Sequence, residues 1–392
     1  MMPPSRRDLV LIGGGHSHAL VLRQLGDRPI PGVRLTLVSG TTHTPYSGML
    51  PGYIAGHYRF DDVHIDLVAL ARFAGARFVG GEAVAIDRAA RTVRVSGHGD
   101  IGYDRLSINV GSTPQVDVSG AADKVVPLKP IHRLNDRWLA LIGRISELGG
   151  SLRIAVVGAG AGGVEMALSM QYRLRDVLRQ AGQDPDRLRV DLFAAGPAVL
   201  PSHARSVRRR IESILSARGI DIHHGAPVAE VRPDGLVTGD GRRFDADEII
   251  WATRAGGAAW LKATGLALDP DGFIRVGETL QTVADPDIFA AGDIASMVGY
   301  RLEKSGVVAV RQGPPLAENL RRSLAGRPLI RYRPQSRWLA LIGTGDRYAI
   351  ASYGRLGIGG RWVWHWKDRI DRRFMNRFAA LPPASPATAP SA

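Results

Sequence analysis

The stretch LVLIGGGHSHALVL at residues 9–22 decides the fold. Its apolar run is typical of a buried parallel strand, which breaks at three glycines and continues in a helical pattern. Doubly wound α/β domains use such a βα turn to bind the pyrophosphate of a dinucleotide. We expect Gly13 to permit the tight turn and Gly15 to let the backbone approach the pyrophosphate, which then sits on the amides of the following helix.

A histidine, His18, occupies the third glycine position of this motif. Because a histidine prevents the closest strand–helix packing, either the helix lies further out or His16 and His18 face the ligand, with Ser17 between them. A metal-binding histidine pair is the weaker alternative, since no carboxylates stand nearby in the sequence. The next strand, at residues 33–40, ends in Ser39, where an acidic residue usually binds an adenosine ribose.

A second glycine loop follows at residues 152–168, which read LRIAVVGAGAGGVEMAL. All three glycines of the motif are present, at Gly158, Gly160 and Gly163. Two such loops predict two dinucleotide-binding domains, because one doubly wound half needs one loop for its pyrophosphate. The alternative is that both sets of glycines merely tighten βα turns. The strand after the second loop ends at residues 194–196 without an acidic residue.

The amino-acid composition excludes several kinds of redox chemistry. The 392 residues contain no cysteine, which excludes a redox disulfide, a thiolate nucleophile and an iron–sulfur cluster, so electrons must move through a bound organic cofactor. No apolar run approaches the ~20 residues of a membrane-spanning helix and no signal peptide is evident, which predicts a cytoplasmic protein. The net charge of +14 is interpreted as spread over the surface, and no nucleic-acid motif is present.

Two further stretches between the loops predict close contacts with a ligand or another surface. The segment THTPYSGMLPGYIAG at residues 42–56, which includes Thr44 and Pro45, has too many turn residues for a helix and too many aromatics for a plain linker. We expect it to be an ordered loop. A strand at residues 103–114 ends in a second close backbone approach, formed by Gly111, Ser112, Thr113 and Pro114.

Two further motifs accompany the two glycine loops and the GSTP strand end. They are the run TLQTVADPDIFAAGDIA at residues 279–295 and a strand that ends in IIWATR at residue 254. This combination resembles the FAD-dependent pyridine nucleotide oxidoreductase superfamily. More narrowly, GGGHSH, TPYSGMLPG, KSGVVAVRQGPPLAENL at residues 304–320 and WHWKDRIDRRFM at residues 364–375 resemble type II NADH dehydrogenase-like flavoproteins. The sequence is most similar to the NADH dehydrogenase-like module that some bacteria fuse to selenide, water dikinase.

This resemblance implies an α/β fold with two Rossmann-like dinucleotide-binding domains and a C-terminal α+β segment. The FAD-binding domain is expected at residues 1–115 and 270–325, interrupted by an NAD(P)H-binding domain at residues 116–269. The C-terminal domain with an amphipathic helix is expected at residues 326–380. Residues 381–392 have too little apolar content to fold and are expected to be disordered.

The resemblance also implies roles for individual residues. Asp293 would bind the ribityl chain of FAD, and the helix beginning near Gly306 would point its amides at the flavin pyrimidine. Glu165 would lie near nicotinamide and flavin, and Lys304 and Gln312 are the other candidate catalytic residues. NAD(P)H would contact Gly158, Gly160 and Gly163. The remaining expected FAD contacts are Gly13, Gly15, His16, Ser17, His18, Ser39, Thr44, Pro45, Gly111, Ser112 and Thr113.

The implied activity is hydride transfer from NAD(P)H to FAD, followed by electron transfer to a quinone-like or other small acceptor without a redox disulfide and without a metal. A non-catalytic FAD-binding accessory protein, for example of selenium metabolism, is the alternative. Where the superfamily often has Ala-Thr-Gly, this chain has Arg254, which could block the nicotinamide cleft or bind a phosphate. The choice between NADH and NADPH is not readable from the second strand end.

The C-terminal part is predicted to contain strands that cover the flavin, followed by a helix at residues 362–378. Trp366, Ile370, Phe374 and Phe378 recur every four residues and predict one apolar stripe among basic residues. Such a helix could lie on the inner face of the cell membrane to reach quinone, as in type II NADH dehydrogenases. Alternatively, the stripe packs on its own domain or on a second subunit in a homodimer.

Overall fold

The computed structural model describes residues 6–116, 118–121, 124–128, 131–147, 150–253 and 255–382, with backbone alone for residues 131–133. Arg254 and the predicted disordered tail beyond residue 382 lie outside the described residues. The helices in chain order are α1 (His16–Asp27), α2 (Leu50–Ile54), α3 (Phe60–Val63), α4 (Leu67–Phe73), α5 (Ile131–Arg144), α6 (Ala161–Gln180), α7 (Arg205–Ala217), α8 (Gly306–Leu324) and α9 (Arg361–Ala379).

The strands from β1 to β14 are two to seven residues long. They are β1 (Arg7–Ile12), β2 (Val33–Ser39), β3 (His43–Pro45), β4 (His64–Asp66), β5 (Arg77–Gly80), β6 (Ala83–Asp87), β7 (Thr92–Val95), β8 (Gly99–Gly102), β9 (Arg105–Ile108), β10 (Thr113–Pro114), β11 (Val125–Pro127), β12 (Leu152–Val157), β13 (Leu188–Phe193) and β14 (Ile220–His223).

The remaining strands complete both parallel sheets, form smaller sheets and build the C-terminal region. They are β15 (Val228–Arg232), β16 (Gly235–Thr238), β17 (Arg243–Asp245), β18 (Glu248–Trp251), β19 (Ala255–Gly256), β20 (Ile274–Val276), β21 (Ile288–Ala290), β22 (Ala295–Met297), β23 (Ala340–Gly343), β24 (Ala349–Tyr353) and β25 (Leu356–Gly360). Short 3-10 helices occur at Pro185–Arg187, Ala259–Ala263 and Gly292–Ile294.

The first dinucleotide-binding unit is built on a five-stranded parallel sheet in the order β21, β9, β1, β2, β5. Its central strand β1 is fully buried from Leu9 onward, because helices cover parallel sheets on both faces. Helix α1 packs against α8 at Gly313, where an added Cβ would lie 2.7 Å from Leu20. The glycine therefore permits a close helix–helix approach beside the first loop.

The second unit repeats this plan with the parallel order β11, β18, β12, β13, β14. Each unit also carries a three-stranded antiparallel sheet, formed by β6 to β8 in the first and by β15 to β17 in the second. Strand β21 returns to the first sheet after the second sheet is complete, so the second unit interrupts the first. The predicted α/β class with two Rossmann-like units is confirmed, whereas the exact domain boundaries stay a prediction.

The C-terminal region is an antiparallel sheet of β23, β24 and β25 followed by α9, as the predicted α+β segment requires. The predicted single apolar stripe on α9 is wrong, because Phe374 and Phe378 are buried whereas Trp366 and Ile370 are each 41% exposed. Four-residue spacing advances about 40° beyond a full turn at each step, so the row winds from one face to another. No helix in the described part of the chain is long and apolar enough to cross a membrane.

Candidate active site

The first glycine loop is shaped by Asn109, which directly follows β9. A Cβ on Gly13 would lie 2.5 Å from the Asn109 carbonyl oxygen, and a Cβ on Gly15 would lie 2.2 Å from Asn109 Oδ1. Gly13 also has a φ of +89°, which favours glycine. Both glycines are therefore required by contacts within the protein, in addition to any approach of a pyrophosphate.

His18 packs between strand and helix. It is fully buried, with Nδ1 2.6 Å from the Gly13 carbonyl oxygen and Nε2 2.8 Å from Ser107 Oγ. Burial lowers its pKa to about 4, so the ring is neutral at physiological pH. We therefore assign His18 a packing role. Its side chain fills the interface between strand and helix, which corresponds to the first of the two predicted arrangements, and it does not face a ligand.

The other two residues at the start of α1 reach different neighbours. His16 Nε2 accepts a hydrogen bond from the Ser47 amide at 3.4 Å, and its ring lies edge-on to Tyr46. Ser17 is buried and donates to the Ala309 carbonyl oxygen of α8 at 2.7 Å. The histidines thus have separate environments, and within the described ranges no group of His, Asp and Glu side chains is arranged to hold a metal.

Asn109 also connects the first loop to the segment around Asp293. Its Nδ2 donates to the Ala291 carbonyl oxygen at 2.6 Å, and an added Cβ on Gly292 would lie 2.3 Å from that nitrogen. Sequence reasoning missed Asn109. The available signal was a polar residue at the end of a buried strand, immediately before the GSTP turn.

The AAGD segment that contains Asp293 is held from three directions. Ser112 donates to Asp293 Oδ2 at 3.3 Å, and the Gly292 amide donates to Gln312 Oε1 at 2.6 Å. Lys304 donates to the Ala295 carbonyl oxygen at 2.8 Å. Gln312 and Lys304, predicted as catalytic, are therefore placed as positioning residues for this segment, and contact with reacting atoms stays a prediction for both.

The N-terminus of α8 can donate hydrogen bonds to an electron-rich group. Its first backbone N–H groups have no partner within the helix. The Ser305 hydroxyl at this end is buried and has no hydrogen-bond partner among the described residues. Gly306 lies against Ser47, with its added Cβ 2.6 Å from the hydroxyl oxygen, so the TPYSGMLPG loop and this helix end meet. These features fit the pyrimidine edge of a flavin.

The remaining predicted FAD residues lie in the first sheet, in two small neighbouring sheets and in the turn after β9. Ser39 ends β2 and its hydroxyl donates to the Thr41 carbonyl oxygen at 2.8 Å. Thr44 and Pro45 lie in β3, paired with β4. Gly111 has a φ of +73° and an added Cβ there would meet no protein atom. Thr113 pairs with Gly256 at the crossing between the two units.

In the second loop, two glycines are required by contacts within the protein, whereas the third leaves space for a ligand. A Cβ on Gly158 would lie 2.5 Å from the Ala252 carbonyl oxygen, and one on Gly163 would lie 1.8 Å from that of Gly158. A Cβ on Gly160 would meet nothing within 4 Å. Gly160 therefore caps α6 beside open space, where the backbone can be approached by a pyrophosphate. The adjoining end of β13 is followed by Ala194, and no acidic residue stands there.

Glu165 lies where α6 meets the C-terminal region. Its Oε1 accepts a hydrogen bond from the Gly343 amide at 2.7 Å. Burial raises the pKa of this carboxyl to about 7, with Lys367 opposing the shift. Lys367 itself is ion-paired with Asp371 at 2.6 Å. A carboxyl that titrates near neutrality beside the two nucleotide-binding units is suited to hold or release a proton.

Replacing Glu165 with glutamine should reduce the pH dependence of folding stability. The pKa of Glu165 in the folded protein is raised above its ordinary value of 4.5, so the protonated carboxyl stabilises the folded state at low pH. The wild-type protein loses this stabilisation as the pH rises from about 4.5 to 7. In denaturant unfolding, the free energy of unfolding of the wild type should fall by about 2 kcal/mol more between pH 5 and pH 8 than that of the variant. Glu212→Gln on α7 is the control, and equal declines in wild type and E165Q would contradict the assignment.

The sequence profile of the pyridine nucleotide-disulphide oxidoreductase family matches residues 7–313. The chain belongs to this family. The predicted enzyme class and the predicted cofactors, FAD and NAD(P)H, are thereby confirmed. The site geometry agrees with two nucleotide sites. The first glycine loop lies near Asp293 and the start of α8, and the second has open space at its own Gly160.

Individual relatives cover between two thirds of the chain and nearly all of it. A type II NADH:quinone oxidoreductase of Staphylococcus haemolyticus is 22% identical over 389 residues, which are 95% of this chain and 96% of the relative. An NADH dehydrogenase-like protein of Mycobacterium tuberculosis is 29% identical over 66% of both chains. The resemblance to type II NADH dehydrogenase-like flavoproteins is confirmed, and the closer likeness to a dikinase-fused module stays a prediction.

Two solved structures share the fold over at least 92% of their length. The sulfide:quinone oxidoreductase of Aquifex aeolicus superposes with a TM-score of 0.78 at 18% identity, covering 95% of this chain and 92% of the other. The NDH2 of Plasmodium falciparum in complex with NADH gives a TM-score of 0.77 at 12% identity, covering 97% and 100%. The fold therefore extends through the C-terminal region.

Proposed function

We propose that the protein passes electrons from NAD(P)H through FAD to a quinone-like acceptor at a membrane surface. Bound FAD supplies the chemistry, since it accepts a hydride from the nicotinamide and releases electrons to a second substrate. The 392 residues contain no cysteine, so none of them can relay electrons as a disulfide. The relative from Staphylococcus haemolyticus, matched over almost its full length, is named as a quinone reductase, which supports this acceptor class.

The observation that carries the proposal is that α9 contacts the TPYSGMLPG loop with one face and exposes a row of apolar side chains on another. On its inner face, Phe374 stacks on Tyr46 with ring centroids 4.5 Å apart, and Lys367 donates to the Gly48 carbonyl oxygen. Tyr46 and Gly48 belong to the TPYSGMLPG loop, which reaches the N-terminus of α8 through Ser47. A lipophilic acceptor held by α9 would therefore lie close to the flavin site.

The outer face of α9 has the composition of a membrane-surface helix. Trp362, Trp366 and Ile370 are 55%, 41% and 41% exposed and recur at four-residue spacing. The hairpin of β24 and β25 adds Leu356, which is 73% exposed. Aromatic and aliphatic side chains in such a row insert at the boundary between headgroups and acyl chains.

The C-terminal part of the chain is strongly basic. Residues 298–378 contain seventeen Lys and Arg but five Asp and Glu, so they supply most of the net charge of +14. Exposed arginines on α9 include Arg361, Arg369 and Arg373. A basic surface around an apolar row favours anionic lipid, at roughly 1 kcal/mol for each Lys or Arg near the membrane.

Replacing both Trp362 and Trp366 with serine should release the protein from anionic liposomes. We expect several-fold less protein to co-sediment, and the rate with a lipophilic quinone should fall much more than the rate with a soluble dye. Truncation of α9 is a poorer test, because it would also expose the buried contacts of Phe374 and Phe378. Leu139→Ser, an equally exposed apolar position on α5, is the matched control.

Binding of the wild-type protein to the liposomes should weaken at high salt, because exposed charges are screened. Equal pelleting of wild type and the double variant would contradict the membrane proposal. If the row instead forms a homodimer interface, the double variant would change the sedimentation velocity of the protein without any change in vesicle binding.

A further inference from the structure

The end of β2 lacks the acidic residue that usually holds an adenosine ribose in this fold. Ser39 stands there, and its hydroxyl is committed to its own loop: it donates to the Thr41 carbonyl oxygen at 2.8 Å and accepts from the Thr41 amide at 3.3 Å. The next residue, Gly40, has no side chain. Neither residue can therefore accept both ribose hydroxyls.

A carboxylate reaches this position from the neighbouring strand. β5 is hydrogen-bonded to β2 with Ser39 opposite Gly80, and Glu82 follows two residues after that strand ends. A Cβ built on Gly40 would lie 2.9 Å from Glu82 Cγ and 3.3 Å from Glu82 Oε1. The side chain of Glu82 thus lies directly over the backbone just past the end of β2.

The backbone of Glu82 is fixed while its carboxylate is left for a ligand. The Glu82 amide donates to Ser96 Oγ at 3.0 Å, and the Ser96 amide donates to the Glu82 carbonyl oxygen at 2.9 Å. Glu82 is exposed, and over the described ranges its carboxylate forms no ion pair. It also lies at the carboxyl edge of the parallel sheet, where dinucleotides bind in open α/β folds.

We propose that Glu82 binds the adenosine ribose hydroxyls of FAD and replaces the acid missing at Ser39. This inference rests on FAD occupying the first glycine loop. The two vicinal hydroxyls would donate to the two carboxylate oxygens, and hydrogen bonds to a charged acceptor are stronger than neutral ones. The same ribose would then be recognised from β5 instead of β2.

The test compares binding of FAD and of its 2′-deoxyadenosine analogue to the apoprotein, followed by quenching of flavin fluorescence. Wild type should bind FAD about tenfold more tightly than the analogue, as expected for one charge-assisted hydrogen bond. Glu82→Ala should weaken FAD binding by about tenfold or more and bind both flavins equally well. Asp100→Ala on β8, which removes a negative charge from the antiparallel sheet that begins directly after Glu82, is the control.

Simple charge effects predict the opposite result, which makes the outcome decisive. Removing a negative charge near an anionic pyrophosphate would tighten FAD binding if Glu82 made no contact. A second variant, Ser39→Glu in the Glu82→Ala background, should restore part of the preference for FAD. If Glu82→Ala binds FAD as wild type does, the inference is wrong although FAD binding stands. If the wild-type apoprotein binds no flavin, the assignment of the first loop itself fails.

Discussion

Replacing Gly160 with valine will abolish reduction of the flavin by NAD(P)H. The N-cap φ of −72° is accessible to valine, and an added Cβ meets no protein atom within 4 Å, so the variant should fold normally. The side chain would instead fill the space through which the pyrophosphate approaches the second loop. Displacement of the nucleotide by about 1 Å is enough to cost roughly 100-fold, so we expect at least that loss in stopped-flow reduction.

The controls for this variant separate nucleotide binding from flavin chemistry. Reduction by dithionite should be unchanged, because it does not require the second loop. Gly143→Val on α5, where an added Cβ also meets nothing, should reduce at the wild-type rate. Unchanged bleaching by NADH in the Gly160 variant would remove the second loop from the nicotinamide site.

Replacing Asp293 with alanine should leave the purified protein largely without FAD. The carboxylate is presented by the 3-10 turn Gly292–Ile294, which Gln312 and Asn109 hold in place. Loss of charge-assisted hydrogen bonds to the ribityl hydroxyls should weaken FAD binding by at least about tenfold. The measurement is flavin absorbance per protein after gel filtration, together with the dissociation constant of the reconstituted apoprotein.

A matched variant tests whether the effect belongs to the carboxylate. Ser112→Ala removes the hydroxyl that donates to Asp293 at 3.3 Å but leaves the charge, so it should lose much less flavin. Full flavin occupancy in the Asp293 variant would show that this carboxylate does not bind FAD. Thermal unfolding of both apoproteins would show whether either change acts through folding alone.

The two glycine loops could be predicted because local sequence determines them. An apolar strand, a glycine turn and a helix form a contiguous pattern, and the structure builds β1 with α1 and β12 with α6 from it. The interruption of one unit by the other was implied by the family resemblance, which rests on the same motifs. These features require no knowledge of distant contacts.

The residues that sequence reasoning missed act across large separations. Asn109 links Gly15 to Ala291, and Glu82 reaches Gly40 from the next strand of the sheet. The local pattern around Asn109 marks only a polar residue at the end of a buried strand before the GSTP turn, and the pattern around Glu82 marks nothing beyond a polar residue near a strand end. Such contacts depend on strand order, which the motifs alone do not specify.

The packing roles of His18, Gln312 and Lys304 could not be read from the motifs either. Each lies within a stretch that marks the site, yet its side chain holds a backbone segment in place. A motif locates a site but does not distinguish a residue that contacts the ligand from one that supports it. The stripe on α9 failed for a related reason, because burial of Phe374 depends on the TPYSGMLPG loop.

The most direct test of the account is an anaerobic titration of the purified protein with NADH and, separately, NADPH, followed by absorbance. We expect a yellow protein with flavin bands near the ordinary FAD positions that bleach with one equivalent of at least one nucleotide. Reoxidation should then follow addition of a short-chain quinone. A flavin that stays oxidised with both nucleotides but is reduced by dithionite would contradict the account and favour a non-catalytic FAD-binding protein.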